Sequence, residues 1–218
     1  MIEETADQPE ITRRVWPENL WLSIWFSPRK TIRQIVYTDP KRYFNYLAFL
    51  FGVAGSLGKL SDRNAGDLMS LLWIFAIVLT LGGLGGFISI YFYGAITEWV
   101  GSLFGGVARS KDVRAAILWS NLPVMISYIL WIPLILFYGE EMFTSITPQI
   151  DQSPFLLLFS GLIQLVLGIW SIILYVICLS EVHKFSIWRS IATILLPVLA
   201  IIILGGGCYL LTLSANGA

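Results

Sequence analysis

Thirty consecutive residues, 68–97, carry no charged side chain. An uncharged apolar run longer than about 18 residues reads as a candidate membrane-spanning helix. This one exceeds what a single perpendicular crossing needs. Its second half holds Gly82, Gly83, Gly85, Gly86 and Gly94, which would let neighbouring helices approach closely. Tyr91, Tyr93 and Trp99 suit the level at which a helix leaves lipid. The reading is a span over about residues 68–91, then an interfacial extension to residue 106 that carries the first charge, Glu98.

The rest of the chain agrees with that environment. It is 56% apolar and 13% charged, whereas soluble domains sit near 45–50% and about 25%. A net formal charge of zero gives nucleic-acid binding no electrostatic support. Cys178 and Cys208 fall in apolar runs, as small packing residues rather than a disulfide or redox pair. A lone histidine, His183, does not make a histidine-rich metal centre. No metal and no cofactor is expected.

Residues 1–18 are polar and acidic and read as a flexible tail. They lack the apolar core and cleavage site of a signal peptide, so the first span is expected to serve as its own insertion signal. Residues 19–38 read as an interfacial amphipathic segment. Trp21 and Trp25 lead into Ser27-Pro28, a cap-then-proline helix start. Arg29, Lys30 and Arg33 follow, largely opposite Ile32, Ile35 and Val36. These residues would contact lipid or a partner, or pack on the ends of the bundle; the two are compatible. Asp39-Pro40 repeats the device and launches the first span, over about residues 43–58. Gly52 and Gly55 there, with Gly82 and Gly86 later, are expected at close helix crossings. Three further spans follow, over about residues 115–138 (bent by Pro123 and Pro133), 154–179 and 187–213 (bent near Pro197). Residues 39–213 therefore read as one all-α, five-helix membrane bundle.

Orientation follows from the bases. Seven of the 14 Lys and Arg precede the first span, three follow the second, two follow the fourth, and Lys59 and Arg63 remain. The positive-inside rule then puts the N-terminus in the cytoplasm and the C-terminus outside, in a multi-pass plasma or inner membrane protein.

Three ionisable groups fall on the expected cytoplasmic face. Glu98 is a functional candidate by default near membrane depth, or an interface residue paired with Arg109 or Arg114. Glu181 and His183 offer a Glu-x-His pair for proton relay or ligation, but only in a non-helical turn, since positions two apart on a helix face different ways. The bland alternative is a solvated turn joining two helices. Asn121 and Gln164 are amides in apolar runs, by default bonding across helices. No nucleophile–base set and no Cys-x-x-Cys is present, so no catalytic residue is assigned.

Several segments resemble the Yip1 domain family in its prokaryotic form. They are Trp25-Phe26-Ser27-Pro28-Arg29-Lys30-Thr31-Ile32, Gly52-Val53-Ala54-Gly55 and Tyr91-Phe92-Tyr93-Gly94 with Gly105-Gly106. Ala116-Ile117-Leu118-Trp119-Ser120-Asn121-Leu122-Pro123 and Ser180-Glu181-Val182-His183-Lys184-Phe185-Ser186-Ile187-Trp188-Arg189 complete the set. The resemblance covers about residues 20–210 and rests on order and spacing. It implies five spans and a cytoplasmic N-terminus. Eukaryotic members resemble trafficking factors that bind Rab-type GTPases, but the Asp-Leu-Tyr-Gly-Pro motif is missing here and that role does not carry over. The first expectation is a non-enzymatic scaffold or membrane-organising factor. It would contact the bilayer, anionic lipid included, and a protein partner at the cytoplasmic face, its glycine faces permitting a homo-oligomer. A small-solute or ion transporter or channel is the alternative, and a lipid-headgroup enzyme using Glu98, Glu181 and His183 ranks third.

Overall fold

The structure, a computed structural model, describes residues 19–216, with side chains described as far as Ile203. The expected tail over residues 1–18 and the side chain of Cys208 lie outside that description. Among the described residues there is no strand. Two short helices, α1 (Leu20–Phe26) and α2 (Pro28–Thr38), precede the long α3 (Phe44–Asp62). Next come α4 (Leu71–Ile77), a π-helical turn (Val78–Gly82) and α5 (Gly83–Leu103), one helical stretch of 33 residues. The following pass is broken into α6 (Ser110–Ser120), α7 (Leu122–Ser127) and α8 (Trp131–Tyr138). After α9 (Pro148–Gln152), α10 (Phe155–His183) and α11 (Ile187–Asn216) close the chain.

Three stretches are long and apolar enough to cross a bilayer: Leu71–Leu103, Ser110–Phe143 and Phe155–His183. Only 28%, 39% and 22% of their most apolar windows are buried. Leu84, Ile88, Leu158, Leu162 and Val166 are among the side chains left uncovered. In water that surface would be a large penalty, and in hydrocarbon it is none.

Local chemistry explains the boundaries, including those that differ from expectation. Pro28 starts α2 as the pattern suggested, although the Ser27 side chain makes no cap bond. Instead Thr31 Oγ1 donates to the Ser27 carbonyl at 2.9 Å and lies 2.6 Å from Ser23 Oγ, tying α1 to α2. Asp39-Pro40 does not launch α3. Asp39 ends α2 and accepts the Lys41 amide at 3.0 Å, and α3 starts only after Tyr43, at φ +59°. The third pass bends where expected. Asn121 interrupts it, its Nδ2 donating to the Ile117 carbonyl at 2.8 Å, and Pro123 falls in the first turn of α7. Helix α5 continues without a break from the expected span through the expected interfacial extension to Leu103.

Two apolar cores lie at opposite ends. One gathers Ile24, Ile32, Leu47, Ile90, Trp119 and Cys178, with Trp21 packed 5.4 Å from Trp119 and 5.6 Å from Tyr43. The apolar face of α2 is consumed here, with Ile32 and Ile35 both 0% exposed. The second gathers Leu57, Ile74, Val78, Trp131, Leu134 and Phe143. Over it folds the loop of residues 139–153, which carries Glu140, Glu141 and Asp151 and no base. Ser61 Oγ donates to the Met142 carbonyl at 2.6 Å, Asp67 accepts the Ser145 amide, and Glu141 accepts the amides of Gln149 and Ile150. Arg29, Lys30, Arg33, Lys111 and Lys184 mark the first end as the basic one; Glu140, Glu141 and Asp151 mark the other as acidic.

Between the ends, α3 and α5 touch through backbone. A Cβ on Gly52 would stand 2.6 Å from the Gly86 Cα, and one on Gly82 would strike Ser56. Gly55 faces open space.

Candidate functional site

Glu98, Glu181 and His183 come to the same end of the bundle but do not form one site. Helix α10 continues through His183 and is ended by Lys184 at φ +59°, so Glu181 and His183 leave it about 200° apart. Glu181 turns toward α2. Its Oε1 accepts from Arg33 Nε at 2.8 Å and from Lys184 Nζ at 3.2 Å. That contact raises the pKa of the Arg33 guanidinium above its ordinary value.

His183 points the other way and is 1% exposed. It occupies the joint between α5 and α6. A Cβ on Gly101 would lie 2.6 Å from its Nε2, one on Gly106 would strike Nδ1, and Phe185 stacks on the ring at 4.9 Å. The His183 carbonyl also accepts the Val107 amide at 3.2 Å. Neither ring nitrogen has a hydrogen-bond partner among the described residues. Gly105, at φ +80°, supplies the left-handed turn that brings Gly106 under the ring.

Glu98, on α5, accepts a short hydrogen bond from Ser110 Oγ at the start of α6. Neither Arg109 nor Arg114 forms an ion pair with it among the described residues. It acts electrostatically on both His183 and the buried Asp112, whose Oδ1 is also unpartnered. No described group of three or more His, Cys, Asp or Glu side chains could hold a metal ion.

The aromatic-basic residues divide between two environments. Trp21 and Trp25 are half-buried against the first core, whereas Arg29, Lys30 and Arg33 are exposed. Beside them stand Leu22, Phe26 and Tyr37, with Phe26 86% exposed. Further along, Asn121 and Gln164 share a half-open groove of about 640 Å³ with Ser171 and Tyr175. Ser171 Oγ donates to the Ser120 carbonyl at 2.7 Å, and Tyr175 and Thr97 hydroxyls lie 3.1 Å apart.

Sequence reasoning missed a basic cavity formed by Lys41, Lys111 and Arg114 with Asn45, Phe44 and Tyr91. Its three cations come from two separate segments, and only the docking of α6 beside α3 unites them.

The family model of the Yip1 domain matches residues 22–208. No curated protein and no solved structure matches the chain.

Proposed function

Because the chain belongs to the Yip1 domain family, we propose that it is a five-span membrane protein with a cytoplasmic N-terminus and a non-enzymatic, membrane-organising role. In this reading α3 and α11 flank the three most apolar passes as additional spans, and the basic end is cytoplasmic. The observation that carries the role is the outer surface of α1 and α2. Their inner faces are spent on the core, so Arg29, Lys30, Phe26 and Tyr37 form an exposed aromatic-basic surface anchored to the bundle. Such a surface suits anionic lipid or an acidic partner.

The test leaves the core intact. Full-length protein reconstituted in phosphatidylcholine liposomes is mixed with protein-free vesicles containing phosphatidylserine, and vesicle co-sedimentation is measured. A Phe26→Ser/Arg29→Gln/Lys30→Gln variant is expected to lose most of the capture. Equal capture by the variant would sink the reading.

The two amides, Asn121 and Gln164, in the otherwise mostly apolar groove beside the Asn121 break favour a second reading, a transporter with a path between α7 and α10. Flux of a small solute or ion through proteoliposomes that falls on Gln164→Leu would favour it. Flux indifferent to Gln164→Leu and Glu98→Gln would remove those residues from any path.

A further inference from the structure

At the basic end, beside α3 and α5, Lys41, Lys111 and Arg114 converge on a cavity of about 290 Å³. Lys41 stands on the turn between α2 and α3, while Lys111 and Arg114 lie in the first two turns of α6. Both ion pairs among the described residues involve Glu181, so none of these three cations has one. No carboxylate lines the cavity. Of the neighbouring acids, Asp39 accepts the Lys41 backbone amide, and Asp112 is buried behind the cavity lining, acting on Lys111 electrostatically without an ion pair.

Of the three, Arg114 is held in place rather than splayed into solvent. The Arg114 guanidinium lies 4.5 Å from the Tyr91 ring centroid, and its aliphatic stem runs across Gly94, where a Cβ would be 2.6 Å from Cγ. Gly94 therefore lets Arg114 reach Tyr91. Phe44, 5.9 Å from Tyr91, completes an aromatic wall, and Asn45 adds an amide at the rim. Three like charges brought to one pocket repel one another, and a bound anion removes that cost. Two ammonium groups and a guanidinium suit a multiply charged tetrahedral oxyanion better than a single carboxylate.

We propose that this cavity binds a phosphomonoester, held by Lys41, Lys111 and Arg114 against the Phe44–Tyr91 wall. The chemistry is shared by an anionic lipid headgroup and a soluble phosphate ester. The site is distinct from the α1–α2 surface and does not depend on the membrane-organising role.

Purified full-length protein in uncharged detergent is titrated with three probes: dioctanoyl phosphatidic acid, glycerol 3-phosphate and dioctanoyl phosphatidylcholine. Saturable binding of phosphatidic acid is expected, with phosphatidylcholine much weaker. Binding of glycerol 3-phosphate as well points to a soluble ester, and its failure to bind points to a lipid; either result supports the site. Each cation removed is expected to weaken phosphatidic acid binding by roughly tenfold or more. Arg114 also packs on Tyr91 and Gly94, so Arg114→Gln is paired with Lys41→Gln, on the exposed turn, and with the charge-conserving Arg114→Lys. Loss in both Gln variants with partial retention in Arg114→Lys is the expected pattern. Phosphatidic acid binding no tighter than phosphatidylcholine, or unchanged by Lys41→Gln and Lys111→Gln, overturns the proposal.

Discussion

Gly52 and Gly86 cross backbone to backbone, so closely that a Cβ on Gly52 would stand 2.6 Å from the Gly86 Cα. Backbone on both sides leaves no flexible group to yield. Gly52→Ala and Gly86→Ala are each expected to lower stability by about 1–3 kcal/mol through overpacking. Gly55→Ala faces open space, and should be neutral or stabilising by up to about 1 kcal/mol through helix propensity. Thermal or denaturant unfolding in detergent separates the two outcomes. Equal damage at Gly55 and Gly52 would show that the crossing lies elsewhere.

The contrast between these glycines marks how far the sequence could be read. Glycines in an apolar helix point to a close crossing but not to its face. A finer signal was present in the buried positions Ile74, Val78, Gly82, Gly86, Ile90 and Gly94, which recur every four residues. A regular α-helix over-rotates by about 40° at each such step, so a stripe of this stride demands a wider turn. The π-helical turn Val78–Gly82 supplies it and keeps both ends of the stripe on the packed side. The site was legible only in part. Composition and loop charge bring Glu98, Glu181 and His183 to one end, but whether the turn after Leu179 is helical decides whether they meet. It is helical, so they part. Lys41 and Arg114, 73 residues apart in the chain, carry no local sign that they share a cavity.

His183 and Gly101 are coupled through shape. The imidazole fills the space that a side chain at Gly101 would need. Gly101→Ala is expected to destabilise, and His183→Ala to cost about 2–4 kcal/mol by opening a cavity. The double variant should cost less than the two separately, with a coupling of about 0.5–3 kcal/mol. A double-mutant cycle on unfolding checks this, and strict additivity would place the ring elsewhere.

Docking of α2 onto the bundle has an apolar and an ionic component, and the apolar one dominates. Ile32 and Ile35 are fully buried, so replacing either with Ala should cost about 2–5 kcal/mol. Arg33, on the opposite face, meets Glu181 from an exposed position, where solvent and salt weaken the pair. Limited proteolysis at the turn over residues 39–43 should therefore accelerate in Ile32→Ala and hardly change in Arg33→Gln or in high salt. Release by salt alone would reverse that ranking.

At the acidic end, two carboxylates have structural employment that loop charge alone did not reveal. Glu141 Oε2 accepts the Gln149 amide at 2.8 Å and the Ile150 amide at 3.1 Å, satisfying donors at the start of α9 that no helical carbonyl can reach. Asp67 accepts the Ser145 amide at 3.1 Å, pinning the same loop from the other side. Glu141→Ala is expected to speed hydrogen exchange at Gln149 and Ile150, and Asp67→Ala at Ser145. Each should cost about 1 kcal/mol or somewhat more, since charge-assisted bonds exceed neutral ones. Glu140→Ala, whose carboxylate makes no hydrogen bond of this kind among the described residues, is the control and should leave all three amides unchanged. Faster exchange at those amides in Glu140→Ala would mean that the loop is ordered by its total charge rather than by these two contacts.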